Sequence, residues 1–174
     1  MTQEILSAPV FSAEASEPDA LLIARIVDDF HIPHLRDLLV VIELARKVEA
    51  RHAEHSRVPV GLMQLLARFF DHLSLHQAKE EAVLFPMMLR GVGDLSGPIG
   101  VMSSEHDVVR SDLARLREIT DDFTAPNDAC GSWTRLYDLC RKFDRDLREH
   151  IRLEEDVLFP RYSRSVTGQP PSHD

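Results

Sequence analysis

The 174-residue chain predicts an all-α fold, an antiparallel four-helix bundle, on three observations. Its long segments place apolar residues three and four positions apart, the period of a helix with one buried face. Only seven glycines are present and hairpin dipeptides such as Asn-Gly are missing, so nothing marks out strands. Glycine, proline and serine gather instead in three connectors, SRVP, GVGDLSGP and DFTAPNDACGS, which cut the chain into four stretches. Long helices joined by short loops pack antiparallel. The length suits one domain with a real core and is too short for two. The expected layout is a flexible tail over 1–18, a helical domain over 19–162 and a second tail over 163–174.

The first helix, about 19–54, contains Pro33, which removes a backbone donor and should kink or restart it there. The second runs over about 59–91, the third over about 98–121 and the fourth over about 132–161, where Trp133, Tyr137 and Cys140 read as packing residues. Cys130 and Cys140 lack Cys-x2-Cys spacing and read as unpaired thiols. Acidic residues outnumber basic ones, 29 to 20, with no basic run and few aromatics, which argues against a nucleic-acid partner. No basic n-region opens the chain and no segment reaches about 18 uninterrupted apolar residues, so neither a secretion signal nor a membrane span is expected. A cytoplasmic location follows.

One eleven-residue pattern occurs twice, HQAKEEAVLFP over 76–86 and HIRLEEDVLFP over 150–160. Residues four apart on a helix lie one turn above each other. His76 with Glu80, and His150 with Glu154, therefore each aim an imidazole and a carboxylate at one point. Counting from the three loops puts His76, His106, His150 and either His31 or His34 at one level of the bundle, with His31 and His34 not separated by spacing. His52 is 21 residues past His31, about 31 Å along a straight helix, and falls outside that level. It reads as a polar residue near a loop, and His55 and His173 as surface residues.

Four imidazoles and two carboxylates in a helical core are costly to bury without a metal. Two shared acids and a mixed nitrogen and oxygen set suit two irons better than structural zinc. The ferritin-like order is Glu-x2-His, and here it is His-x3-Glu. Glu81 and Glu155, one position past the paired acids, read as solvated or salt-bridged ahead of a role supporting the ligands, and Glu105 as a surface acid ahead of a lining residue of a channel. Leu84, Phe85, Leu158 and Phe159 read as core flanking the site.

The doubled motif, with VPVGLMQLL, GPIGVMSSEHD and the upstream histidines, resembles the hemerythrin-like di-iron proteins for repair of iron-sulfur clusters, including nitric-oxide-induced members. The resemblance spans about 20–162 and selects His31 over His34. It implies metal ligands at His31, His76, Glu80, His106, His150 and Glu154, holding two oxo-bridged iron ions in a hemerythrin-like bundle. It further implies a metal- and gas-binding stress protein, more than a turnover enzyme, that binds nitric oxide or donates iron to damaged clusters. Its partners would be iron-sulfur client proteins and a separate reductant, and a dioxygen carrier or sensor is the alternative. Two departures stand out. The bundle is expected almost at the first residue given, so that the family's N-terminal cysteine-pair domain is expected to be missing, and His72 stands where an acid is expected. His72 and its counterpart Asp146 either support the ligands through hydrogen bonds or face solvent.

Overall fold

Three prolines set the shape of the helices. The computed structural model describes residues 16–163, so His173 and most of both expected tails lie outside the described residues. The first rod consists of α1 (Asp19–Ile26), a π turn (Val27–His31) and α2 (Ile32–Arg51). The second is α3 (Leu62–Lys79), a π turn (Glu80–Leu84) and α4 (Phe85–Leu89). The third is α5 (Ser96–Ile119), and the fourth is α6 (Gly131–Arg152), a π turn (Leu153–Leu158) and a 3-10 turn (Phe159–Arg161). There is no strand among the described residues, as the fold class requires.

Each π turn ends two residues before a proline: Pro33, Pro86 and Pro160. Proline has no N–H to donate and its ring collides with the carbonyl four residues back. Widening the preceding turn to i→i+5 bonding accommodates both problems without breaking the rod. The expected restart at Pro33 therefore takes the form of a widened turn, and the same device recurs in both copies of the duplicated motif.

Adjacent rods run antiparallel, with α2 packed against α3 and α6, α3 against α5, and α5 against α6. Register between α2 and α3 is fixed near their loop, where the backbone N–H of Met63 donates to Glu49 Oε1 at 2.7 Å. The opposite end is tied by Asp19, which accepts hydrogen bonds from Arg161 and the Tyr162 hydroxyl.

Two apolar clusters fill the interior. The larger includes Leu38, Val41, Leu66, Phe69, Leu113, Leu116, Trp133 and Phe143. The smaller, at the far end, includes Leu22, Ile26, Phe85, Met88, Leu158 and Phe159. A polar layer separates them. Trp133, Tyr137 and Cys140 lie in the larger cluster, as their spacing suggested, and burial pushes the Cys140 thiol up to about 12. Both cysteines are free. His52 sits at the loop end, with Nε2 3.2 Å from Cys130 Sγ and its ring 5.0 Å from that of Trp133. His55 pairs with the exposed Asp128.

Leu66 is fully buried in the larger cluster. Leu66→Ala is expected to cost about 2–5 kcal/mol, read as a lower urea midpoint. An unchanged midpoint would contradict the placement of the core.

Candidate metal centre

The polar layer is built from all four rods, and the π turns place its acids. His31 closes the first π turn, Glu80 opens the second, and Glu154 is the second residue of the third. His76 and His150 come from the last turns of α3 and α6, and His106 from the middle of α5. All six side chains are buried, and Glu80 and Glu154 have no exposed surface at all.

The six residues form two groups that share both carboxylates, His31, Glu80, His150, Glu154 and His76, Glu80, His106, Glu154. Every histidine turns Nε2 inward. Within the first group Nε2 of His31 lies 3.1 Å from Nε2 of His150, 3.5 Å from Glu80 Oε2 and 3.8 Å from Glu154 Oε1. Within the second, Nε2 of His106 lies 3.1 Å from Nε2 of His76 and 3.1 Å from Glu154 Oε2, and Nε2 of His76 lies 3.3 Å from Glu80 Oε1. Each carboxylate thus gives one oxygen to each group.

This donor set fits metal. Ligand atoms about 2.1 Å from one ion stand about 3.0 Å apart when adjacent and about 4.2 Å apart when opposite, and the atoms of each group lie within 4.8 Å of one another. Both Glu80 oxygens are buried without a hydrogen-bond partner although imidazole nitrogens lie close by. Nitrogens and oxygens converge on a common point, and His150 Nε2 lies 3.0 Å from Glu154 Oε1. A buried, unpaired carboxylate costs several kcal/mol, which a cation offsets.

The outer nitrogens add a supporting role to what was expected of three acids. Nδ1 of His31 donates to Glu81 Oε1 at 2.8 Å, Nδ1 of His76 to Glu105 Oε2 at 2.9 Å, and Nδ1 of His106 to Glu155 Oε1 at 2.9 Å. Glu81, Glu105 and Glu155 are therefore not merely solvated, salt-bridged or surface acids: each fixes the tautomer of an inward-facing histidine. Lys79 holds Glu105 and Arg110 holds Glu155. Sequence spacing missed these pairs because an acid next to a ligand points away from that ligand's own site and reaches a histidine on another rod. His72 and Asp146 take the solvent-facing alternative. His72 is exposed at a cavity of about 300 Å³ beside His76, and Asp146 pairs with Lys142 and Arg145.

Aromatic rings complete the layer. Phe85 stacks on His31, Phe159 on His106 and Phe30 on His150, with centroids 5.9, 6.0 and 5.6 Å apart. The repeated Leu-Phe-Pro thus supplies, in each copy, a ring that covers a histidine of another rod. His34 lies one turn from His31 and is fully buried, with its ring 5.4 Å from that of His150 and neither nitrogen hydrogen-bonded. Burial holds its imidazole well below the usual histidine range, with His150 and His31 adding to the effect.

The hemerythrin HHE cation-binding domain model matches residues 22–162. The chain belongs to this family. This hemerythrin-family chain is 41% identical over 149 residues to the iron-sulfur cluster repair protein YtfE of Yersinia pestis (strain Pestoides F), covering 85% of its own length and 67% of that protein. It is 41% identical over 152 residues to the iron-sulfur cluster repair protein DnrN of Neisseria gonorrhoeae, covering 87% of itself and 96% of that protein. The YtfE of Musicola paradisiaca is 44% identical over 144 residues, which covers 82% of this chain and 65% of that one. No helix among the described residues is long and apolar enough to cross a membrane.

Without metal, the layer is held by protons. Burial disfavours a charge on His76, but the nearby Glu80 carboxylate, with Glu154 and Glu105 behind it, holds the imidazole up at about 9. His31 and His106 are also raised, with Glu154 outweighing their burial, and Glu154 itself is held well below the usual carboxylate range by His150, His106 and His31. A histidine raised on folding adds stability below its unfolded value near 6.5 and loses that contribution as pH rises through about 9. Urea midpoints of the metal-free chain should therefore fall across this window, and metal uptake near neutral pH should release protons. Calorimetry in buffers of different ionisation enthalpy measures that release, and a uniform heat in all buffers would refute it.

Proposed function

We propose that the chain is a non-haem di-iron protein that binds nitric oxide, donates iron for the repair of iron-sulfur clusters, or does both, under nitrosative or oxidative stress. The observation that carries this reading is the pair of matching groups sharing Glu80 and Glu154, in a chain that covers nearly the whole of a relative named a cluster repair protein. The ligands would be His31 and His150 on one oxo-bridged iron, His76 and His106 on the other, with Glu80 and Glu154 common to both. When bound, the iron pair supplies coordination positions for a small gas and metal that can be passed on.

The chain's own residues do the rest. Two histidines and two shared acids per ion are fewer donors than iron accepts, which leaves room for a further ligand. Glu81, Glu105 and Glu155 keep three imidazoles in the Nδ1–H form, so that Nε2 carries the lone pair that faces the metal. The apolar clusters above and below exclude water and strengthen every charge interaction within the layer. A shared carboxylate can also give up one ion while retaining the other, which a protein that passes metal on requires. The clients would be damaged iron-sulfur proteins, with a separate reductant.

Iron analysis tests the assignment. The wild-type chain should hold two irons, Glu80→Ala or Glu154→Ala clearly fewer, and His52→Ala the full two. Two irons and an unchanged optical spectrum in both glutamate variants would refute the shared-acid assignment. Glu105→Gln and Glu155→Gln should each weaken iron binding about 10- to 100-fold, measured by competition with a chelator.

The anaerobically reduced protein should bind nitric oxide, with changes in its optical and spin-resonance spectra, and should restore activity to an apo-cluster enzyme given reductant. Failure to bind nitric oxide, together with reversible binding of dioxygen, would favour a dioxygen carrier instead.

A further inference from the structure

Three of the four inward-facing histidines hand their outer nitrogen to a carboxylate, and the fourth does not. Nδ1 of His150 is buried with no hydrogen-bond partner. Two further buried polar side chains are also unpartnered. His34 lies with its ring 5.4 Å from that of His150 and with both nitrogens unbonded, and Gln77 is 2% exposed with both amide atoms unbonded.

Register places Gln77 beside His34. On antiparallel neighbours, facing residues have numbers with a nearly constant sum. His31 with Glu80 and Glu49 with Met63 give 111 and 112, and His34 with Gln77 gives 111. His34 therefore sits one turn from His31 and Gln77 about one turn from Glu80, both on the side of the larger apolar cluster, with Gln77 next to His76 in sequence. Buried polar groups of this kind are satisfied by one another or by an enclosed water.

We propose that His34 and Gln77 form an uncharged support for His150, directly or through a bound water, and that the His31/His150 subsite consequently holds the more labile of the two irons. The proposal rests on the di-iron reading above. A carboxylate on the outer nitrogen makes an imidazole a stronger donor and pins its ring, and losing such a partner typically costs 10- to 100-fold in metal affinity. At the His76/His106 subsite both imidazoles have a carboxylate partner, and Lys79 and Arg110 fix those acids in place. At the His31/His150 subsite only His31 has one, and Glu81 is 46% exposed with no cation bridged to it among the described residues. The two halves are alike in their inner ligands and unequal in what stands behind them. His34 is thus a positioning residue that sets which ion leaves first.

The test uses the full-length protein loaded with iron-57, with release to a ferrous chelator followed in time. Wild type should release iron in two phases of one ion each, and Mössbauer spectra should show two distinct sites of equal area. His34→Asp supplies the missing carboxylate and should slow the fast phase about 10-fold or more, moving one Mössbauer component and leaving the other. Gln77→Glu offers an acid at the same level from the facing rod and provides the same readout if His34→Asp does not fold. Glu105→Gln should accelerate the slow phase alone. Single-phase release of both irons from wild type, or acid variants that fold with both phases unchanged, would overturn the inference while leaving the di-iron reading intact. A wild-type chain that binds fewer than two irons would remove that reading and the inference with it.

Discussion

Burying two carboxylates and four imidazoles across the middle of a helical bundle is the constraint on which the rest of this structure depends. Each buried charge costs several kcal/mol unless matched, and the chain matches them in two ways. Without metal, the raised imidazoles of His31, His76 and His106 balance Glu154, and bound cations would take the place of their protons. The apolar clusters on either side serve the same layer. They fix the spacing of the rods at either end, so the six donor atoms cannot drift apart to reach water.

The duplicated motif is a structural unit as much as a ligand set. Its histidine and first glutamate face inward, its second glutamate reaches a histidine on another rod, its phenylalanine covers a histidine on another rod, and its proline widens the turn that carries the acid. A single segment thus contributes to several parts of the centre, and each copy supports ligands it does not itself provide. The centre is therefore cross-braced between rods and not assembled from independent helices.

The symmetry of the two copies is incomplete where it matters for chemistry. Both halves of the layer present two histidines and an oxygen from each shared carboxylate, yet three of the outer nitrogens meet a carboxylate and that of His150 meets none. If each half holds an ion, as proposed, the two would be held unequally, and one could leave while the second keeps the shared carboxylates and the bundle in register.

The sequence alone determined the helical class, the four rods and five of the six inward residues, because helical periodicity and the His-x3-Glu spacing are local properties of a chain. It also placed His52 outside the layer, since rise per residue is fixed. His31 and His34 were not separable by spacing, because three residues on one helix differ by less than a turn. The family resemblance selected His31, and the tertiary structure turns His31 onto the shared acids and His34 onto His150 and Phe143. It also decided the roles of Glu81, Glu105 and Glu155, which depend on which neighbouring rod each acid meets. The widened turns before Pro33, Pro86 and Pro160 belong to the same class. Proline announces a break in the hydrogen-bond ladder, but whether the rod bends, stops or widens is settled by the packing on either side of it.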